Sequence, residues 1–285
     1  MLKIVGILVV LIAVIGGYIF AGGAIRMLWQ PAEYIIILGA AGGAMLLAND
    51  KEVLKSICTQ CKRAFVKHDD GDLYQQFILL TMEVLENTKR QGLKYLDEHI
   101  ENPQESTLFA KYPLILDEIQ LVTFLTDNLR LLSMGRIEGY ELEAILDKEI
   151  GAIAEKRFSA SQAVGTIAEA MPGFGILAAV LGIVITMGNI DAGIVIVGLK
   201  VAGALIGTFF GIFMCYGVLS PLSEAMKATV DRDMTLLYAC REVLINFAAG
   251  KSPLMSIDAG RRMIPEKYKP TFAIMESWIE EAKAR

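Results

Sequence analysis

Histidine and cysteine are scarce in this chain of 285 residues, which contains two histidines and four cysteines. Neither His68 nor His99 has a carboxylate or a cysteine at the spacing of a metal site, and the sequence has no nucleophile elbow, P-loop or HExxH motif. These absences argue against a hydrolase or an NTPase. We therefore expect no catalytic residue, no metal site and no cofactor, and we predict that the protein is not an enzyme.

The cysteines do not form the pattern of a zinc or redox site. Cys58 and Cys61 form one CxxC pair, but there is no second pair and no thioredoxin-like βαβ pattern around them. Cys215 lies in an apolar run and Cys240 in a helical stretch, so we interpret all four as reduced, small apolar residues. Basic residues are not in excess either: the formal net charge is −5, which argues against a nucleic-acid partner.

Apolar residues, in contrast, make up 54% of the chain. A membrane-spanning helix needs roughly 20 of them, with a range of about 17 to 25. We predict four spans, of which the second is short and needs its flanks or a thinner bilayer: Ile4–Phe20, Tyr34–Ala48, Met171–Ile190 and Val201–Leu219. A signal peptide would also begin with a lysine and an apolar run, but the second apolar segment follows so soon that a retained hairpin is favoured.

Positive charge is nearly missing from the two short connections between these spans. All but three of the 27 lysines and arginines lie in residues 49–170 and 221–285. Lys51, Lys55 and Lys227 lie close to span ends and carry the most weight, because long loops follow the positive-inside rule poorly. Both termini and the large middle segment are therefore predicted to be cytoplasmic.

The polar segments have the periodicity of helices and no alternation long enough for a sheet. Apolar stripes at helical spacing predict helices within 71–100, 112–135 and 141–158. We therefore predict an all-α polytopic membrane protein with four transmembrane helices. Its four parts are a transmembrane hairpin at 1–48, a cytoplasmic helical domain at 49–170, the third and fourth spans at 171–220, and a cytoplasmic helical tail at 221–285.

Small residues follow one face of the fourth span. Gly203, Gly207 and Gly211 form successive GxxxG steps there. Because lipid gives little hydrophobic drive between helices, small residues allow the close backbone approach that holds helices together. These steps either pack within the chain or receive a helix of another protein. Thr208 either bonds the carbonyl group one turn back or offers its oxygen to an ion or to a partner's carboxyl group.

A few other residues near the spans have two interpretations each. Glu33, at the start of the second span, is either a functional carboxylate or a structural carboxylate stabilised by the helix dipole. Pro172 and Pro221, at the cytoplasmic ends of the third and fourth spans, are helix boundaries or hinges. A basic run around Arg90 changes to an acidic run that includes Asp97 and Glu98, which is a solvated face or a docking surface.

Five stretches of the sequence stand out together: "GGYIFAGGAIRMLWQPAE" in the first hairpin, "ENPQESTLFAKYP" in the middle segment, and "MPGFGILAAVLGIV", "IGTFFGI" and "GVLSPL" around the third and fourth spans. Together they resemble the MotA family of bacterial flagellar motor stator subunits, and the similarity extends over essentially the whole chain. The resemblance implies a non-enzymatic ion-transport subunit of the bacterial inner membrane that serves flagellar rotation, motility and chemotaxis.

In that family, five copies surround two copies of MotB, whose single span carries an ion-binding aspartate, while cytoplasmic charges act on the rotor protein FliG. The resemblance therefore implies a homopentamer with a MotB-type partner and with FliG as a second partner. It assigns the rotor contact to Arg90 and to Asp97 or Glu98. It assigns the coupling conformational change to Pro172 and Pro221.

For the ion pathway and the face of the partner helix, the resemblance and the small-residue pattern point to Gly175, Ala179, Gly182 and Thr208. Sodium-driven relatives carry a hydroxyl residue where this chain has Ala179. Dehydrated sodium needs several oxygen ligands, whereas a proton needs a carboxylate and a water chain, so we predict that the transported ion is H⁺. The alternatives are a TolQ/ExbB-type energiser of outer-membrane processes, which typically has three spans, and a membrane scaffold without ion flow.

Overall fold

The computed structural model describes residues 2–66, 69–92, 94–134, 139–188, 191 and 193–284. Within these ranges the regular structure is helical and includes no strand, which confirms the predicted all-α class. A 3₁₀ turn, Phe109–Lys111, precedes the seventh α-helix, and a π-helical segment, Met214–Leu219, joins the tenth to the eleventh. The α-helices are numbered along the chain: α1 (Leu2–Phe20), α2 (Ile25–Leu28), α3 (Pro31–Ala48), α4 (Lys51–Phe65), α5 (Gly71–Gln91), α6 (Lys94–Ile100), α7 (Pro113–Asp117), α8 (Ile119–Ser133), α9 (Gly139–Met187), α10 (Ile194–Phe213), α11 (Ser220–Ala248), α12 (Pro253–Arg261) and α13 (Phe272–Ala284).

The described residues contain four helical stretches that are long and apolar enough to cross a membrane, as predicted. Each of the four helices begins before the predicted start of its span; α9, for example, begins at Gly139 and continues through Met171. α3 already begins at Pro31, because proline has the φ angle of a first helical turn. α10 begins at Ile194, well before Val201, because Lys200 interrupts the apolar run in the sequence without interrupting the helix.

One compact unit comprises Met1–Lys67 and Lys156–Val230 and includes the apolar helices. Two clusters of buried side chains form its interior. The first joins α3 to α9 and to the π-helical segment, and the second joins α4 to α9 and α11. Their buried members are Ile37, Ala41, Ile167, Met171, Ala178 and Cys215 in the first cluster, and Ala64, Ala160, Val164 and Met226 in the second.

The other compact unit comprises His68–Glu155 and Asp231–Arg285. Phe77 and Leu85 of α5, and Leu125 of α8, are fully buried, as their helical spacing indicates. Leu114, in contrast, is 38% exposed. The helix predicted over 112–135 is divided into α7 and α8, so the apolar stripe of α8 does not extend back to Leu114. The four-part division of the chain stays a prediction, and its boundary at residue 170 lies inside α9.

Candidate functional site in the third and fourth spans

The third and fourth spans, α9 and α10, meet backbone to backbone, with glycine at the points of closest approach. A methyl group built on Gly175 of α9 would lie 2.8 Å from the carbonyl oxygen of Gly207 on α10. A methyl group on Gly211 would lie 2.5 Å from the carbonyl oxygen of Met171. Because backbone atoms cannot turn away as a flexible side chain can, a residue with a Cβ would push the helices apart. Gly207 and Gly211 therefore pack within the chain, which is one of the two interpretations that the GxxxG steps allow.

Glu33 lies in a notch between the same two spans. The residue is only 8% exposed, its Oε1 atom would be 3.0 Å from a methyl group on Gly182, and its Oε2 atom 2.8 Å from one on Gly207. Within the part of the chain that the structure describes, Oε2 has no hydrogen-bond partner. Glu33 is also in the first turn of α3, where the helix dipole favours a negative charge. This carboxylate therefore connects the second span to both the third and the fourth.

The residues on either side of Glu33 cover the same face of α10. The side-chain amide of Gln30 lies over Gly203, where a methyl group would come within 3.3 Å of it. The ring of Tyr34 packs on the ring of Phe210, with 4.5 Å between the ring centroids. The residue before α3 and the first turn of α3 are thereby fixed to the small-residue face of the fourth span.

The other predicted pathway residues lie at two levels of the α9–α10 pair. Gly175 is next to Thr208, since a methyl group on Gly175 would lie 3.2 Å from the Cα atom of Thr208. Gly182 is next to Glu33 at the other level. Ala179 is 7% exposed and Thr208 is half-buried. The structure therefore brings Gly175 together with Thr208 and Gly182 together with Glu33, and their part in ion movement stays a prediction.

The third span contains a buried hydroxyl group, that of Thr186. Thr186 is fully buried, and its hydroxyl donates a hydrogen bond of 2.7 Å to the carbonyl oxygen of Gly182, one turn back. This is the usual behaviour of a threonine in an apolar helix. The burial of Thr186 could not be predicted from the sequence, because a threonine inside an apolar run gives the same pattern on either side of the helix.

Pro172 and Pro221 each remove one backbone hydrogen bond of a helix. Pro172 is inside α9 and, without an N–H group, cannot donate to the carbonyl oxygen of Ala168. Pro221 follows the π-helical segment directly, as the second residue of α11, and removes the ordinary donor for Gly217. Single π-helical turns inside α-helices occur frequently at functional sites. Each proline thus leaves one helical carbonyl group without its ordinary donor, and its role in a conformational change stays a prediction.

A corner of exposed charges lies where α5 ends and α6 begins. Gly92 ends α5 with φ = +84°, a conformation that suits glycine, and its N–H group donates to the carbonyl oxygen of Thr88 at 2.9 Å. Arg90, in the last turn of α5, is exposed, and so are Asp97 and Glu98 on α6. The basic run and the acidic run of the sequence therefore both lie on an exposed surface, where the charge changes from positive on α5 to negative on α6.

The segment 101–113 holds α6 in its unit. The Nδ1 atom of His99 lies 2.9 Å from the Oγ atom of Ser106, and that oxygen also accepts hydrogen bonds from the N–H groups of Leu108 and Phe109. Both His99 and Ser106 are buried. His99, which has no carboxylate or cysteine at the spacing of a metal site, thus has a structural role that appears only when the segment folds back.

Glu83 of α5 fixes the far end of that segment. Its carboxylate accepts a hydrogen bond of 2.9 Å from the hydroxyl group of Tyr112 and pairs with the ammonium group of Lys111. Burial, and then the Glu83 carboxylate, raise the pKa of the Tyr112 phenol far above its ordinary value, so the phenol remains a donor. These contacts hold α6, and with it the exposed acidic pair, against α5.

The fold and these sites define a polytopic helical membrane protein in which a carboxylate of the second span lies between a glycine-packed third and fourth span. Residues 4–92 match the model of the motility protein A N-terminal region, and residues 118–238 match that of the MotA/TolQ/ExbB proton channel family. The chain belongs to this family and to its MotA branch of flagellar motor stator proteins. Its members are ion-channel components of stators and not enzymes, in agreement with the prediction.

The similarity to individual proteins extends over the whole chain. Chemotaxis protein LafT of Vibrio parahaemolyticus is 45% identical over 283 residues, which are 99% of both chains. Motility protein A of Escherichia coli is 31% identical over 284 residues, which are 99% of this chain and 96% of that protein. The flagellar MotAB stator complex of Bacillus subtilis has a similar fold, with a TM-score of 0.70 at 20% identity, covering 93% of this chain and 96% of that one. These relatives are motility proteins, so the energiser alternative is not favoured.

Proposed function

We propose that this chain is the channel-forming stator subunit of a bacterial flagellar motor. It lies in the inner membrane with both termini in the cytoplasm and assembles as a homopentamer around a MotB-type single-span partner. Proton flow at the interface with that partner is coupled to torque on the rotor protein FliG. The observation that carries this proposal is the match to motility proteins over 99% of the chain.

The near absence of ionisable side chains on α9 and α10 supports the proposal that a partner supplies the proton-binding group. From Met171 to Met187 there is no ionisable side chain, and α10 has only Lys200. Glu33 is enclosed by glycines of its own chain. A proton pathway through a membrane needs a titrating group, and a carboxylate on a partner helix beside α9 and α10 provides one.

A proton fits the pathway better than a sodium ion does. The Ala179 side chain is an apolar methyl group in the third span, so it offers no oxygen ligand. Sodium that leaves its water shell needs several such ligands, whereas a proton passes between a carboxylate and water. In this mechanism Pro172 and Pro221 let the span ends move when the partner's carboxylate changes its charge, and Arg90 with Asp97 or Glu98 transmits that movement to the rotor.

Proton conductance tests the proposal directly. When this chain is co-expressed with its MotB-type partner from which the plug segment is deleted, we expect the cytoplasm to acidify in sodium-free medium after a drop in external pH, and growth to slow. Cells that express either protein alone serve as controls. Acidification equal to that of the controls, together with normal swimming after deletion of this gene, would show that the chain is no stator channel.

Charge reversal at the exposed corner tests the rotor contact. We expect Arg90→Glu to lower swimming speed to about half or less, because like charges brought together at an interface cost several kcal/mol. A compensating reversal of an acidic residue on the rotor is expected to restore part of the speed. Lys148→Glu, a reversal at another exposed residue of the same unit, is the matched control and should swim normally. Normal swimming of Arg90→Glu would mean that the corner is only a solvated surface.

A further inference from the structure

The helix α4 runs along one end of the membrane hairpin. Its first residue, Lys51, closely follows Ala48, where α3 ends. Its last turn is held by Lys3 at the start of α1, whose ammonium group donates a hydrogen bond of 2.8 Å to the carbonyl oxygen of Ala64. Because α1 and α3 cross the membrane in opposite directions, the start of α1 and the end of α3 lie at the same membrane surface. α4 has 15 residues and is about 22 Å long, so it extends along that surface between two points fixed at it.

The two faces of α4 differ in chemistry. Ala64 and Cys61 belong to the face that packs against the side chains of α9 and α11. Lys51, Lys55 and Lys62 are all exposed. At 3.6 residues per turn these three lysines fall within about 40° of one another around the helix axis, which makes them one basic stripe. The stripe points away from the protein core.

Little negative charge opposes the basic stripe on α4. Glu52 is the acidic residue within the helix, and its carboxylate is engaged by Lys156 at 3.2 Å. Asp50 precedes the helix, at the N-terminal end, where the helix dipole offsets its charge. The outward face of α4 is therefore positive although the whole chain carries a net charge of −5.

We propose that Lys51, Lys55 and Lys62 bind the phosphate groups of anionic phospholipids in the membrane leaflet along which α4 lies. Lysine stems reach several ångströms from the helix to place an ammonium group at headgroup level. Each lysine near an anionic membrane surface strengthens binding by about fivefold. The site anchors the connection between the hairpin and the rest of the chain to the bilayer surface. It rests on the membrane topology of the proposed function and not on ion coupling.

Lipid selectivity measured on the full chain tests this site. The purified chain with its partner is reconstituted in phosphatidylcholine bilayers, and electron spin resonance gives the fraction of spin-labelled phosphatidylglycerol and of spin-labelled phosphatidylcholine held at the protein. We expect the wild-type protein to prefer phosphatidylglycerol several-fold. The triple variant Lys51→Gln, Lys55→Gln, Lys62→Gln is expected to lose most of that preference. The variant with arginine at the same three positions should keep the preference for phosphatidylglycerol.

The control variant carries Lys94→Gln, Lys148→Gln and Lys251→Gln, three exposed lysines of the other unit, and should keep the wild-type preference. Inorganic phosphate should also leave it unchanged when compared with sodium chloride at equal ionic strength. Each single glutamine variant is expected to lose part of the preference, which keeps the test decisive if the triple variant misfolds. No preference in the wild-type protein, an undiminished one in the glutamine variants, or displacement by free phosphate would refute the lipid site. A chain that keeps the preference but conducts no protons would refute the channel and leave the lipid site standing.

Discussion

Gly211→Ala is expected to abolish most motility and to destabilise the assembled complex. The added methyl group would lie 2.5 Å from the carbonyl oxygen of Met171 and 3.0 Å from the Cα atom of Gly175. Both neighbours are backbone atoms of α9, so relief requires the two helices to separate. Overpacking of this kind costs about 1–3 kcal/mol, and here it also displaces the carbonyl group of Met171, next to Pro172.

The measurements are swimming in soft agar and the melting temperature of the complex purified with its partner. For a protein of this size each kcal/mol lowers the melting temperature by roughly 2–4 °C. Gly198→Ala is the matched control, because it is in the same helix α10 and a methyl group there would have no neighbour within 4 Å. It should swim and melt like the wild type. If Gly211→Ala also does so, the backbone contact between α9 and α10 is not needed for motility.

The four spans and the helical class could be predicted from the sequence because both depend on local patterns. A run of about 20 apolar residues has one stable solution in a bilayer, since a helix is the structure that satisfies every backbone group within the run. The ends of the spans could not be predicted as accurately. Lys200 lies inside α10 although it interrupts the apolar pattern, because one long side chain can reach the polar boundary from within a helix.

The notch around Glu33 could be predicted only in part. The sequence identified Glu33, Gly182 and Gly207 separately, each from a local rule about charges or small residues in membranes. Their meeting depends on how α3 packs on α9 and α10, and no sequence spacing relates residues so far apart in the chain. The contact between His99 and Ser106 was missed for a different reason: the two residues are close in the chain, but a loop and not a helical repeat brings them together.

Glu33→Lys is expected to abolish motility because it places the wrong charge and the wrong length in the notch. The carboxylate atoms fill the space above Gly182 and Gly207. A lysine side chain is longer, and its ammonium group would be in the first turn of α3, where the helix dipole disfavours a positive charge. A buried ion without a partner costs several kcal/mol. The second span should therefore lose its fixed position on the third and fourth, and the purified complex should melt at a lower temperature.

Glu33→Gln separates the two interpretations of this residue. Glutamine has the shape of the carboxylate and fits above Gly182 and Gly207, but it cannot release or accept a proton at neutral pH. If Glu33 is a structural carboxylate, the glutamine variant should keep the melting temperature of the wild-type complex and most of its swimming speed. A glutamine variant that melts normally but neither swims nor conducts protons would show instead that the acid itself is required. Proton transfer would then involve a carboxylate of this chain as well as the one expected from the partner, and the second span would be part of the pathway.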